Sequence, residues 1–161
     1  MTPLVKFTVP SIPIAQPRQR VGIATFGNIK RARTYTPKKD PVHTFKATVQ
    51  LAARQAYQGA PLEGPLHLSL VYRLGRKKCH TKKRGDNPPL YHSSKPDADN
   101  LMKSLCDALN ELVWRDDSQI AEVSIVKLVS AASEQPGVDV EVWRLDNDVL
   151  AEAWREQKKF I

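Results

Sequence analysis

The sequence predicts one α+β domain, a mixed β-sheet packed with two main helices and followed by a C-terminal helix. Three observations lead there. Apolar residues switch between a period of two and a period near 3.6 along the chain. The segments so marked run in the order β–(hairpin)–α–β–α–β–β–α, which suits helices layered on a mixed sheet. A length of 161 residues with 41% hydrophobic content suffices for one packed core, and no repeat or linker marks a second. The domain is expected to span residues 1–161.

Each element has a local reason. Lys6-Phe7-Thr8-Val9 belongs to a short first strand that Pro10 and Pro13 stop. Residues 15–39 are rich in Pro, Arg and Lys, and Ala24 to Lys30 reads as a hairpin turning at Gly27-Asn28. Asp40-Pro41 opens a helix, Asp as N-cap and Pro at the first helical position. Val42, Phe45, Val49, Ala52 and Ala56 form its apolar face, and Gly59 ends it. Leu66 to Tyr72 alternates as a strand does, and a long polar, basic loop occupies residues 75–94. A second helix starts near Asp97 and turns Leu101, Leu105, Ala108, Leu109 and Leu112 inward. Gln119 to Val129 and Val138 to Leu145 are two more strands, with Gln135-Pro136-Gly137 as the turn between them. Asp146 or Asn147 caps a last helix over 146–161 that packs through Val149, Leu150, Ala153 and Trp154. Lys158 and Lys159 complement its dipole.

Charge narrows the function. Lysine and arginine number 25 against 17 acidic residues, a net charge of +8, so a polyanionic partner is expected and nucleic acid is the commonest. No basic amphipathic helix, membrane-spanning run or signal peptide is evident, so no membrane partner is expected. The two cysteines, Cys79 and Cys106, form neither a disulfide framework nor a ligand pattern. A reduced, cytoplasmic protein is the expectation.

Within this basic chain lies an acidic island. Asp97 and Asp99 flank one residue at a helix start, where both side chains can reach the same space and the helix dipole favours negative charge. Carboxylates are the usual ligands of hard divalent cations. Asp116 and Asp117 precede a strand, and one of them can complete a three-carboxylate site. Asp117 is preferred because Asp116 is better placed to cap the Trp114-Arg115 turn, but spacing alone leaves both open. Lys103, four residues after Asp99, shares its helix face and can stabilise charge on a phosphate. Each piece also has a plainer reading: Asp97 as a simple N-cap, Asp99, Lys103 and Asp107 as a solvated ion-pair stripe, and Asp116-Asp117 as a turn. An EF-hand loop from Asp97 fails, because its sixth and twelfth positions hold Met102 and Ala108. A zinc site from Cys79, His80 and His92 lacks a fourth ligand.

The run Lys95-Pro96-Asp97-Ala98-Asp99-Asn100-Leu101 with Lys103, then Asp107-Ala108-Leu109-Asn110 and Trp114-Arg115-Asp116-Asp117-Ser118-Gln119-Ile120, resembles the RusA family of Holliday junction resolvases. Pro13 to Arg20, Tyr35 to Lys39, Lys78 to Lys83 and Tyr91 to Lys95 look like phage and prophage members, so the resemblance runs from about residue 7 to residue 143. It implies a RusA-like fold, Mg²⁺ as cofactor, a homodimer, and cleavage of branched DNA, the four-way junction, by paired nicks in recombination and repair. It places the catalytic and metal-holding carboxylates on Asp97, Asp99 and Asp117, and the catalytic lysine on Lys103. Relatives often carry Asn-Gly where this chain has Asn110-Glu111. A less sharp helix exit is therefore expected, with Asn110 taking the left-handed conformation.

Two basic stretches are expected to bind DNA. Arg18, Arg20, Lys38 and Lys39 lie in one, and Arg76, Lys77, Lys78, Lys82 and Lys83 in the other. Such runs are commonly solvated surface, but two beside an acidic island suit phosphate contacts that position a substrate without reading its sequence. Tyr35 and His80, interleaved among the cations, can stack on bases, and for Tyr35 a packing role is equally open. Two rivals remain. A nucleotidyltransferase shares the Asp-x-Asp pair, but the Gly-Ser that usually precedes it is missing here. The other is a branched-DNA-binding protein without catalysis.

Overall fold

The computed structural model describes residues 2–26, 29–77 and 87–157. The expected turn at Gly27-Asn28 and the expected contributions of Lys78, Cys79, His80, Lys82, Lys83, Lys158 and Lys159 lie outside the described residues. The elements run β1 (Val5–Val9), β2 (Arg20–Phe26), β3 (Ile29–Tyr35), α1 (Pro41–Ala56), β4 (Leu66–Leu74), β5 (Leu90–Tyr91), α2 (Ala98–Leu109), a 3₁₀ turn (Asp117–Gln119), β6 (Ile120–Val129), β7 (Gly137–Arg144) and α3 (Asn147–Gln157). The arrangement is the expected α+β one.

Five strands form one sheet in the order β1-β7-β4-β6-β5. The β4–β6 pair is parallel and the other pairs are antiparallel, so the sheet is mixed. Parallel pairing needs a crossover, and α2 lies within the one joining β4 to β6. Alternation gives the sheet two unlike faces. Leu66, Leu68, Leu70 and Tyr72 of β4, Val138, Val140 and Val142 of β7, and Val5, Phe7 and Val9 of β1 are buried in one core with Phe45, Val49 and Ala53 of α1 and Leu101, Leu105 and Leu109 of α2. The other face is ionic: Lys6 pairs with Glu141 at 2.7 Å, Thr8 donates to Asp139 at 2.7 Å, and Arg73 pairs with Asp139.

Four details differ from the sequence reading. The hairpin is longer than residues 24–30 and forms its own two-stranded sheet. Helix α1 ends at Ala56, before Gly59, because Tyr57 turns extended while its N–H still bonds the Ala53 carbonyl. Ala53 is therefore the buried fourth residue of its apolar face, and Ala56 is exposed. The 75–94 segment contains strand β5, which pairs Leu90 with Val129 and Tyr91 with Leu128. In α3, which Asp146 caps by accepting from Asp148 N at 2.8 Å, Val149, Leu150 and Trp154 are 55%, 68% and 56% exposed. Helices α1 and α2 cover the apolar face of the sheet, and Val149, Leu150 and Ala153 of α3 line a groove with His67 of β4, Trp143 of β7 and Leu145.

The exit of α2 carries a further correction. Asn110 is not left-handed, with φ −55° and ψ 138°. Glu111 takes that conformation, at φ 62°, one that favours glycine. The turn is no less sharp for it. Glu111 N donates to Trp114 O at 2.7 Å, and the buried Trp114 ring donates from Nε1 to Asn110 Oδ1 at 2.7 Å. Burial of the indole and satisfaction of its N–H hold a residue type that prefers φ below zero in a conformation suited to glycine.

Candidate active site

Helix α2 carries the island. Asp97 is its N-cap residue, with extended backbone, yet its side chain makes no cap hydrogen bond. The other acidic residues at helix starts behave differently: Asp40 accepts from Val42 N and Asp116 from Ser118 N, each at 3.0 Å, and Asp146 accepts from Asp148 N at 2.8 Å. The Asp97 carboxylate thus sits in the favourable field of the α2 N-terminus without being consumed by it. The approach to Asp97 is held by β6. Lys127 Nζ, on the core side of the sheet, donates to Ser94 O at 3.0 Å and to Pro96 O at 2.7 Å. His92 N adds a bond to Lys127 O at 2.9 Å.

Asp99, two residues on, and Lys103, a turn after that, line a groove of about 420 Å³ with Asp117, Cys106, Ile120 and Val123. The 3₁₀ turn places Asp117 there. Asp116 caps that turn, and the Gln119 side chain closes the box by accepting from Asp116 N at 3.2 Å. Gln119 Nε2 also ties the turn to Leu62 O and Gly64 O. Hydrogen bonds from Ser118 hold the Asp116 carboxyl below the ordinary carboxylate range. Asp116 is thereby committed to the turn, and Asp117 is the member of the pair that faces the groove.

The floor of the groove is the Cys106 thiol. Burial first, and then the charges of Asp117 and Asp107, push it up to about 12, so it stays protonated at neutral pH. The plainer reading of Asp99, Lys103 and Asp107 as an ion-pair stripe finds no ion pair joining them among the described residues. Asp107 turns away to Lys46 of α1 at 2.8 Å, and among the described residues no ion pair includes Asp97, Asp99, Asp117 or Lys103.

Among the described residues, no three His, Cys, Asp or Glu side chains come together as a metal-holding group. Two carboxylates, Asp99 and Asp117, face the groove, while Asp97 stands at the helix start outside its lining. That donor set fits a small hard cation that keeps several waters and binds one or two carboxylates plus substrate phosphate. It suits a soft metal less well, because the one thiol among the described residues, Cys106, is buried.

Lys103 also lines a second groove, with Gln16, Pro17, Arg18, Gln19, Asn100 and the Lys46-paired Asp107. Its wall is fastened to α2 by Gln16 N to Asn100 O at 2.9 Å and by the buried Ser104 Oγ to Ile14 O at 2.6 Å. Arg18 is thus brought beside Lys103, and Arg20 begins the hairpin that leaves this groove. Lys38 lies at the hairpin's other root, facing a third groove, with the exposed Lys39 beside it. Arg76 has a different setting. Its guanidinium donates to Ser130 O at 3.0 Å, to Asn87 O at 3.2 Å and to Pro88 O, closing the base of the 77–87 segment. Lys77 is exposed at the start of that segment.

Sequence reasoning missed Lys127, Ser104 and Gln119 because their partners are backbone carbonyls of distant segments. No spacing or charge pattern marks such a bond in advance.

The family model of endodeoxyribonuclease RusA matches residues 10–143. The uncharacterized protein YqaN of Bacillus subtilis (strain 168) is 34% identical over 143 residues, which cover 84% of this chain and 93% of that protein. No helix among the described residues is long and apolar enough to cross a membrane.

Proposed function

We propose that this chain, which belongs to the RusA family of endodeoxyribonucleases, is a Mg²⁺-dependent, homodimeric enzyme that resolves four-way DNA junctions by paired hydrolysis of phosphodiester bonds. The observation that carries the reading is the groove where Asp99 and Asp117 face Lys103, with the uncapped Asp97 carboxylate at the helix start beside it.

In this reading Asp99 and Asp117 would hold the cation, and Asp97, beside them at the helix start, would serve as a further ligand. Bound there, Mg²⁺ supplies Lewis-acid neutralisation of charge on the phosphate oxygens. Lys103 donates to a non-bridging oxygen of the scissile phosphate and stabilises the charge that builds there during attack. Its place in both grooves supports a backbone track that runs from the carboxylates past Arg18 toward Arg20 and Lys38. Arg18, Arg20, Lys38 and Lys39 contact phosphates along it, and Lys77, Lys78, Lys82 and Lys83 contact a second arm. Arg76 is assigned to holding the base of that second segment. A twofold dimer presents two such sites to the symmetric strands of a junction, so symmetry itself supplies the paired cuts.

The test is a synthetic four-way junction incubated with and without Mg²⁺, beside a linear duplex of the same sequence. Symmetric nicks near the branch, with Mg²⁺ only and on the junction only, are expected. Asp117→Asn should abolish them while junction binding persists. Asp116→Asn should change little, since Asn caps as well as Asp. Full cleavage by Asp117→Asn would overturn the assignment. Tight binding without cleavage at any Mg²⁺ concentration would favour a non-catalytic junction-binding protein.

A further inference from the structure

We infer that Tyr35 and Gly22, at the root of the β2–β3 hairpin, form a seat on which an unpaired nucleobase of the bound DNA stacks. This rests on the DNA-cleaving reading above and deepens it, because it gives the protein a reason to prefer branch points.

The register makes the ribbon two-sided. Arg20 faces Tyr35, Gly22 faces Arg33 and Ala24 faces Arg31, so by the period of two the cations and the tyrosine share one face. Val21, Ile23, Ala32 and Thr34 alternate onto the other. On the cationic face the Tyr35 ring lies diagonally across the ribbon over Gly22. A Cβ built on Gly22 would stand 3.0 Å from Tyr35 Cε1 and 3.6 Å from Cδ1. Any larger residue there would make the ring give by a few tenths of an ångström or more. Tyr35 remains 47% exposed, so the ring is fixed from below and open from above.

Above it is a groove of about 490 Å³ lined by Gly22, Ile23, Arg33, Tyr35, Thr36 and Lys38. That is within the range of small-molecule clefts, about 300–1,000 Å³. A flat π face flanked by two cations selects a flat ring carrying negative charge nearby, which describes a nucleotide. Position completes the case. Tyr35 faces Arg20 across the ribbon, and Arg20 follows the Gln16–Gln19 segment that lines a groove with Lys103. A strand whose phosphate reaches Lys103 therefore passes the seat. Bases inside a duplex are already stacked on each other, whereas a base at a branch point can be taken by a protein ring at little cost.

The experiment uses the full-length protein without divalent cation, so that binding is read apart from cleavage. A four-way junction with 2-aminopurine at the branch is titrated, with a linear duplex as control. Tyr35→Leu still covers Gly22 with an apolar group but offers no π face. It is expected to weaken junction binding about 5- to 150-fold, the range for one lost base–aromatic stack. It should also lose the fluorescence change at the branch and leave duplex affinity unchanged. Tyr35→Phe should bind as wild type, since the hydroxyl is not needed. Gly22→Val, which lifts the ring, should reproduce the loss, with the thermal melt showing that each variant is folded. Equal junction affinity and equal fluorescence change for Tyr35→Leu and wild type would overturn the seat and leave the nuclease reading standing. Failure of the wild type itself to bind any junction would remove both.

Discussion

Replacing Glu111 with Gly should stabilise the protein without changing its activity. Glu111 holds φ 62° at the exit of α2. A non-glycine residue there costs roughly 1–2 kcal/mol, because Cβ crowds the following carbonyl. Glycine removes that crowding but has more freedom to lose on folding, about 0.5–1 kcal/mol. The difference is a gain of about 0.5–1 kcal/mol. For a domain of this size, 1 kcal/mol moves Tm by about 2–4 °C, so a rise of about 1–4 °C is expected. Among the described residues Glu111 makes no ion pair, since nearby Arg115 pairs with Glu63 at 2.7 Å, so little opposing loss is anticipated. The control is Glu111→Ala, which removes the carboxylate and keeps the Cβ; it should give no comparable gain. Both are read by scanning calorimetry at one pH and ionic strength. The backbone bond from Glu111 N to Trp114 O survives either change, so the path to Asp117 and the cleavage rate should hold. If the Gly variant melts no higher than the Ala variant, the left-handed exit is not a cost in this protein and the reasoning fails.

Three further outcomes are expected. Lys103→Ala should lower the single-turnover cleavage rate about 10²-fold, as loss of one donor to developing charge does, while Lys103→Arg keeps part of it; helix content by circular dichroism should be unchanged, and equal rates for wild type and Ala would return this lysine to the solvated surface. Lys127→Met removes both bonds that hold Ser94 O and Pro96 O, so the Mg²⁺ concentration for half-maximal cleavage should rise, with partial rescue by Lys127→Arg; an unchanged Mg²⁺ titration would show that Asp97 does not depend on β6. Asp139 is pushed up by burial, but bonds from Arg73 and Thr8 and the nearby cations outweigh this and lower its pKa. A lowered folded value means that its stabilisation is present above the ordinary carboxylate pKa of about 3.9 and is lost as pH falls through the folded value. Acid unfolding should therefore be less steep in Asp139→Asn, by at most about 1 kcal/mol for a partly exposed, solvent-screened pair, and identical acid limbs would contradict it.

The fold was legible where periodicity and burial coincide. Leu66, Leu68, Leu70 and Tyr72 alternate in the sequence and are all buried in β4. The α1 stripe through Val42, Phe45 and Val49 is buried as its spacing requires. Periodicity failed where the apolar face had no partner left to meet. Helix α3 carries the same kind of stripe, yet Leu150 and Trp154 stay exposed because the face of the sheet is already covered. It also failed at boundaries set by backbone bonds, such as the end of α1 at Ala56, and at β5, whose two residues are too short for any pattern.

The candidate site was legible in its residue types and in the capping roles of Asp40 and Asp116, but not in the freedom of the Asp97 carboxylate, and comparing these three acidic N-caps shows why. Asp40, Asp97 and Asp116 each precede a helical turn, and sequence rules give all three one job. Hydrogen-bond accounting separates them. Asp40 accepts from Val42 N, so its carboxylate serves α1. Asp116 accepts from Ser118 N and is locked into a reciprocal box with Gln119, so it serves the turn that delivers Asp117. Asp97 accepts no cap bond, although it stands where one would form. A carboxylate that declines the nearest donors stays available for a ligand, and the helix dipole steadies its charge meanwhile. Lys127 makes this arrangement durable, because it satisfies the carbonyls of Ser94 and Pro96 and fixes the approach to α2 without neutralising Asp97 through an ion pair. The distinction between a structural and a reactive aspartate thus lies in which backbone N–H groups are already taken, a property of the folded chain that no spacing encodes.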